Sequence, residues 1–214
     1  AKVTSIAIPC NTSHSIIDKI QQLTSIPIIN MIEETAKGLK EVVNKGEKVG
    51  IMATDGTIML KIYQQACKKY DIEYFVPEDN IQKQIMDIIY DDVKANGIFD
   101  NERFKKVLDY FLQNGCKYVI LGCTELSGFK KDFDKNTIDP MDYLVKAAIV
   151  QMETNGIHQW DGIYPTKEDF ITDIMNKSLY IADDNGKMAA IYVISNESDD
   201  AYNTVNWQYS NESA

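Results

Sequence analysis

Short apolar runs alternate with amphipathic segments along most of the chain. Residues 3–9, "VTSIAIP", read as a buried strand. Ile16, Ile17, Ile20 and Leu23 then recur at helical spacing and predict a helix over 12–23. A short apolar piece at 26–29 leads into a helix over 31–45, ended by Asn44 and Gly46. "KVGIMAT" at 48–54 predicts a strand, 57–69 has a helical pattern, and "IEYFV" at 72–76 is another strand. Ile81, Ile85, Ile88 and Val93 set a helix over 78–95, closed by Asn96-Gly97. Asp100 can cap a helix to about 113, closed by Asn114-Gly115, before the strand "CKYVILG" at 116–122. Short strands alternating with helices imply parallel βαβ units, so the fold class is α/β. Ligands of such sheets bind beyond the carboxyl ends of the strands. "PCNT", "ATDGT" and "GCTE" all lie at such ends.

The pattern changes after about residue 150. A helix over 140–153 serves as the junction. "YPTKEDFITDIM" reads as a capped helix, with Thr166 as N-cap and Asp169 three residues on. "SLYIADDNGKMAAIYVIS" reads as two strands around Asn185-Gly186, a hairpin signal. This is antiparallel material, so two regions are expected, 1–150 and 151–214.

Length and composition narrow the function classes. A chain of 214 residues suffices for one large domain or two small ones. The net charge of −10 argues against nucleic acid or an anionic membrane as the main partner. No apolar run approaches the length of a membrane span, and the start does not resemble a signal peptide. The chain opens without Met and directly on a strand, so a cut at this end is expected. The four cysteines, Cys10, Cys67, Cys116 and Cys123, form no C-x-x-C pair, which argues against a zinc ribbon or a thioredoxin-like motif. With so few cysteines a reducing cytoplasm is expected, and no metal site.

Cys10 and Cys123 carry the candidate chemistry. A thiol at a helix N-terminus feels the positive end of the macrodipole, which favours the thiolate. The same helix start offers backbone N–H groups to an anion, and Asn11 and Thr12 add side-chain donors. Cys123 has the same setting, with Gly122 before it and Thr124 after it. Two thiols across one bound carboxylate suit a 1,1-proton transfer: one removes the α-proton and the other returns a proton from the opposite face. The alternative is that both are small buried hydrophobes. Cys67, on a helix, and Cys116, opening a strand, read as structural.

The neighbouring residues keep more than one reading each. Thr54 and Thr57 of "ATDGT" can bind a carboxylate or ammonium group, or the stretch is a plain βα turn with Asp55 as cap. Glu125 can bind a substrate ammonium, act as a partner of Cys123, or complement the helix dipole. His14 can tune Cys10 or serve as a capping or solvated residue. His158 has no catalytic role.

"IPCNTSH" and "LGCTEL", with "GIMATDGTI" between them and "IDPMDYLVKAA" after them, resemble the motifs of the aspartate/glutamate racemase family over about residues 1–150. The resemblance implies a cofactor-independent amino-acid racemase of two similar α/β domains with the site between them. It implies Cys10 and Cys123 as acid–base thiols, and Asn11, Thr12, Thr57 and Thr124 as holders of the substrate carboxylate. Glu125 stands where glutamate racemases typically carry His, which favours the aspartate-racemase side. Family members have a long segment before the first cysteine motif, so the first domain is expected to be incomplete, with exposed sheet edges and either a homodimer or a missing half to complete it. The tail resembles the opening half of a GNAT-type N-acetyltransferase, a partial α+β segment that stops before the acetyl-CoA loop and is not expected to bind that cofactor.

Overall fold

In this computed structural model residues 3–156, 175–176, 179–184 and 187–193 are described. In chain order the elements begin with β1 (Ile6–Ala7), a 3₁₀ stretch (Thr12–Ile16), α1 (Ile17–Gln21), β2 (Ile28–Ile29) and α2 (Met31–Val42). They continue with β3 (Lys48–Ala53), α3 (Asp55–Met59), α4 (Ile62–Lys69), β4 (Glu73–Phe75) and α5 (Asp79–Asp87), which runs on as a π-helix (Ile88–Lys94). Then come α6 (Asn101–Gln113), β5 (Cys116–Gly122), a 3₁₀ stretch (Thr124–Phe129), α7 (Lys130–Phe133), β6 (Thr137–Ile138) and α8 (Pro140–Thr154).

Among the described residues the main sheet has the order β4-β3-β5-β6, with every pair parallel. Its centre is β3, where Val49 to Ala53 are all buried. A strand sealed on both faces needs apolar side chains at successive positions, and "VGIMA" supplies them. Successive side chains then part to opposite faces. Met52, Val119 and Leu121 join Ile85, Phe104 and Phe111 on one side. Val49, Ile51, Ala53 and Ile120 join Ile32, Leu39, Tyr63 and Ala66 on the other. The pair β1-β2 is parallel and separate.

Several expectations need correction. The buried strand over 3–9 is only Ile6–Ala7, with Val3 60% exposed, because among the described residues β1 pairs with β2 alone. The helix over 12–23 is a 3₁₀ stretch followed by five α-helical residues, since "TSHS" is held by tertiary hydrogen bonds described below. The helix over 57–69 starts earlier and breaks in two at Lys61, whose φ is 55°. The helix over 78–95 changes to π-helical hydrogen bonding at Ile88. β6 was not anticipated, because a two-residue strand is too short to show alternation.

Residues Val3–Gly156 form one unit. In the other, β7 (Leu179–Asp184) and β8 (Lys187–Val193) pair antiparallel. Asn185-Gly186 and the helix expected from Thr166 lie outside the described residues. No described helix is long and apolar enough to cross a membrane.

Candidate active site

Strand register brings two of the three motif turns together. Ala53 of β3 sits opposite Gly122 of β5, so the turns that follow, Thr54 to Thr57 and Cys123 to Glu125, are neighbours. Thr54 is the N-cap of α3, and its hydroxyl accepts from the Thr57 N–H at 3.4 Å. Capping by a threonine oxygen satisfies a helix donor that would otherwise be orphaned. Asp55 is therefore not the cap; it is the first helical residue, and its carboxylate accepts from Gln82 Nε2 at 2.8 Å. The Thr57 hydroxyl bonds that of Thr54 at 3.1 Å and that of Thr12 at 2.8 Å. The latter bond ties the first cysteine motif to the same turn. Thr57 is fully buried, so it braces these loops from inside.

The first motif is anchored on both sides of Cys10. The buried Asn11 accepts the Tyr63 hydroxyl at Oδ1. His14 is buried, with Nδ1 2.7 Å from the Cys10 carbonyl oxygen and Nε2 3.1 Å from the Met31 backbone nitrogen. Met31 can only donate and the Cys10 carbonyl can only accept, so the proton of the ring sits on Nδ1. Asn30 Oδ1 takes the next two N–H groups of α2, from Ile32 and Glu33. His14 thus completes the cap of α2 and holds the Cys10 loop; of the roles expected for it, its contacts are those of a capping residue. Cys10 itself is exposed, and its sulfur accepts from the Ser13 hydroxyl at 3.1 Å. The α-helix expected to begin behind it is the 3₁₀ stretch, so the macrodipole argument made from the sequence does not carry over to Cys10.

The second motif differs from expectation more sharply. Cys123 Sγ donates to Glu125 Oε2 at 2.8 Å, and the Thr124 hydroxyl donates to the same oxygen at 3.2 Å. Lys94 Nζ lies 3.3 Å from Glu125 Oε1. Burial first, and then the Glu125 carboxylate, push the Cys123 thiol up to about 12. The sequence expectation was a thiolate favoured by a helix start; a 3₁₀ stretch follows instead, beside an acceptor carboxylate. Burial opposes ionisation of Glu125, but the hydrogen bond from Cys123 and the pairing with Lys94 outweigh it and hold the carboxyl below its usual range. Of the roles weighed for Glu125, its contacts are those of a partner of Cys123.

Burial pushes Cys67 up to about 12 and Cys116 up to about 11, and no carboxylate contributes to either shift as Glu125 does at Cys123. Among the described residues no group of His, Cys, Asp and Glu is placed to hold a metal ion. A cleft of about 920 Å³ opens beside His14, Asn30, Glu33, Lys37, Lys69 and Tyr70, and neither Cys10 nor Cys123 lines it. Sequence reasoning missed Tyr63 and Lys94. Tyr63 sits on the apolar stripe of α4 and reads as core, and Lys94 ends a helical pattern and reads as a solvated terminus.

The sequence profile of the Asp/Glu/Hydantoin racemase family matches residues 1–148. The chain is 29% identical over 125 residues to the broad specificity amino-acid racemase RacX of Bacillus subtilis, covering 58% of this chain and 53% of that protein. It is 29% identical over 127 residues to the glutamate racemase of a Sulfurihydrogenibium species, covering 57% of this chain and 46% of the relative. It therefore spans about half the length of these curated relatives. Among solved structures, the Picrophilus torridus aspartate racemase superimposes with a TM-score of 0.59 at 25% identity, over 72% of this chain and 62% of that one. The profile match covers the sheet, both cysteine motifs and the turn between them: the chain belongs to the Asp/Glu/hydantoin racemase family.

Proposed function

We propose that the chain carries the site of a cofactor-independent amino-acid racemase in which Cys10 and Cys123 are the two proton-transfer groups. The observation that carries this reading is the Cys123 thiol, held protonated 2.8 Å from Glu125 at the end of β5, next to the turn that Thr12 joins through Thr57. A thiol kept as a thiol is a proton donor. Its counterpart, the Cys10 sulfur, is exposed to incoming substrate.

In this reading Cys10 removes the proton and Cys123 returns one, and one conversion leaves Cys10 as the thiol and Cys123 as the thiolate, the pair that runs the opposite conversion. Cys10 as thiolate takes the α-proton of the enantiomer whose α-hydrogen faces it; the C–H bond breaks and an S–H bond forms. The electron pair is held on the planar α-carbon and its carboxylate. Cys123 then gives its proton to the opposite face; its S–H bond breaks and a new C–H bond forms with inverted configuration. General acid–base transfer of this kind contributes about 10²–10⁴-fold. Asn11, Thr12 and Thr124, which follow the two cysteines in the chain, are assigned to the substrate carboxylate, and Thr54 and Thr57 brace the turn between the motifs. Glu125 favours the aspartate-type substrate, since glutamate racemases typically carry His at that place. Among the described residues of 151–214, the GNAT-like resemblance has the antiparallel pair β7-β8 in its favour, an arrangement shared by many folds.

The test is incubation of the chain with L-aspartate, and separately L-glutamate, in D₂O. Deuterium at the α-carbon with decay of optical rotation is expected, and Cys10→Ser or Cys123→Ser abolishes both. A folded chain that exchanges neither amino acid overturns the reading.

A further inference from the structure

Tyr63 touches both cysteine motifs. Its hydroxyl donates to Asn11 Oδ1, one residue after Cys10. Its ring edge, Cε2, lies 3.3 Å from the point where a Cβ on Gly122 would stand, one residue before Cys123. The side chain is 1% exposed. Burial pushes the phenol well above its ordinary range, so it keeps its proton and remains a donor.

A donor at this place decides which way Asn11 faces. The two ends of an asparagine amide have almost the same shape and opposite polarity. A donating hydroxyl pairs with the oxygen and turns it into the core, which leaves the Nδ2 hydrogens directed elsewhere. Among the described residues nothing accepts from Nδ2, and it is not one of their sealed, unpaired polar atoms. Were the amide rotated by half a turn, its oxygen would face an incoming carboxylate and repel it.

The geometry points to Tyr63 as a positioning residue that turns the Asn11 amide N–H₂ outward as the donor for a substrate carboxylate, and whose ring seats Gly122 ahead of Cys123. The identity of that ligand rests on the racemase reading; the orientation of the amide does not.

Tyr63→Phe keeps the ring and removes the hydroxyl. In the full chain, KM for L-aspartate is expected to rise about fivefold or more, with a smaller change in kcat, because one orienting hydrogen bond is lost and the reacting thiols are not touched. Asn11→Ala is expected to show the same rise, and the double variant no further one. An unchanged KM in Tyr63→Phe, or full additivity with Asn11→Ala, overturns the inference. Side-chain amide NMR of Asn11 without substrate separates this from the racemase reading. Broadening or a second set of Asn11 amide resonances in Tyr63→Phe supports the positioning role even if aspartate is neither bound nor racemised. Unchanged resonances overturn it even if racemisation is found.

Discussion

The thiol of Cys123 donates to Glu125 Oε2 across 2.8 Å, while Lys94 Nζ stands 3.3 Å from the other carboxylate oxygen. A carboxylate between a thiol and an ammonium group stabilises the protonated thiol and penalises the thiolate by like-charge repulsion. Lys94 is exposed, so its pull on Glu125 is partly screened by solvent. The half-buried contact with Cys123 is the better insulated of the two.

Glu125→Gln removes that charge and leaves burial, the larger cause, in place. The titration of Cys123 is expected to fall from about 12 but to stay above that of a free thiol, about 8.5. Ultraviolet thiolate absorbance, in a background where Cys123 is the remaining cysteine, reads this directly. Racemisation is expected to drop about tenfold or more, a share of what a positioned proton donor contributes. An unmoved titration would remove Glu125 from the chemistry.

Much of this site was legible because sheet topology has few solutions. Alternating apolar runs identified β3 and β5 as buried strands, and their carboxyl ends contain Thr54 and Cys123. What sequence spacing does not encode is contact between side chains on different elements. Tyr63 reaches Asn11 across the fold, and Lys94 reaches Glu125 from the end of a π-helix, where a change in hydrogen-bond register shifts the face on which it emerges. The direction of the Cys123 shift was misread for the same reason. A helix dipole can be anticipated from a strand–helix junction, whereas burial against a carboxylate depends on the packed neighbours.

The buried thiols predict alkaline instability. Cys67 keeps its proton to about 12 and Cys116 to about 11 in the folded chain, while the unfolded chain releases both near 8.5. Between those values the unfolded state binds fewer protons, so stability is whole below about 8.5 and falls as pH rises. Each thiol contributes up to about 1.4 kcal/mol per pH unit within its window. Urea midpoints measured at rising pH are expected to decline, and Cys67→Ala to flatten that decline even though it lowers the starting stability by opening a small cavity. Equal slopes with and without Cys67 would contradict the assignment.

Asp71 offers a stabilising change. It closes α4 with φ at 55°, its own N–H bonding Lys68 O at 3.3 Å and that of Ile72 bonding Cys67 O at 2.9 Å. That is a Schellman ending, whose left-handed residue is usually glycine. An L-residue there costs about 1–2 kcal/mol, part of which glycine returns as unfolded-state entropy. Asp71 is exposed, so Asp71→Gly is expected to gain about 0.5–1 kcal/mol in urea unfolding. The converse, Gly115→Ala at φ 83°, is expected to cost about 1–2 kcal/mol although nothing lies within 4 Å of its Cβ.

Gly122 is required for space, since its φ is not in the left-handed region. A Cβ there would stand 2.7 Å from Ala53 Cβ, 3.3 Å from Met52 O and 3.3 Å from Tyr63 Cε2. Two of those neighbours belong to the adjacent strand, so Gly122→Ala must either part β3 from β5 or displace the Tyr63 ring. Overpacking of this kind costs about 1–3 kcal/mol. Gly56→Ala is the control: its Cβ would meet Thr12 Cγ2 at an ordinary 3.6 Å, and alanine is the better helix former by about 1 kcal/mol. Thermal unfolding is therefore expected to order the three proteins with Gly122→Ala lowest and Gly56→Ala at or above the parent. Because Cys123 follows Gly122 directly and Tyr63 holds Asn11, α-proton exchange is expected to fall in Gly122→Ala beyond the loss of folded protein. Full exchange per folded molecule in that variant would show that the two cysteine motifs do not depend on this contact.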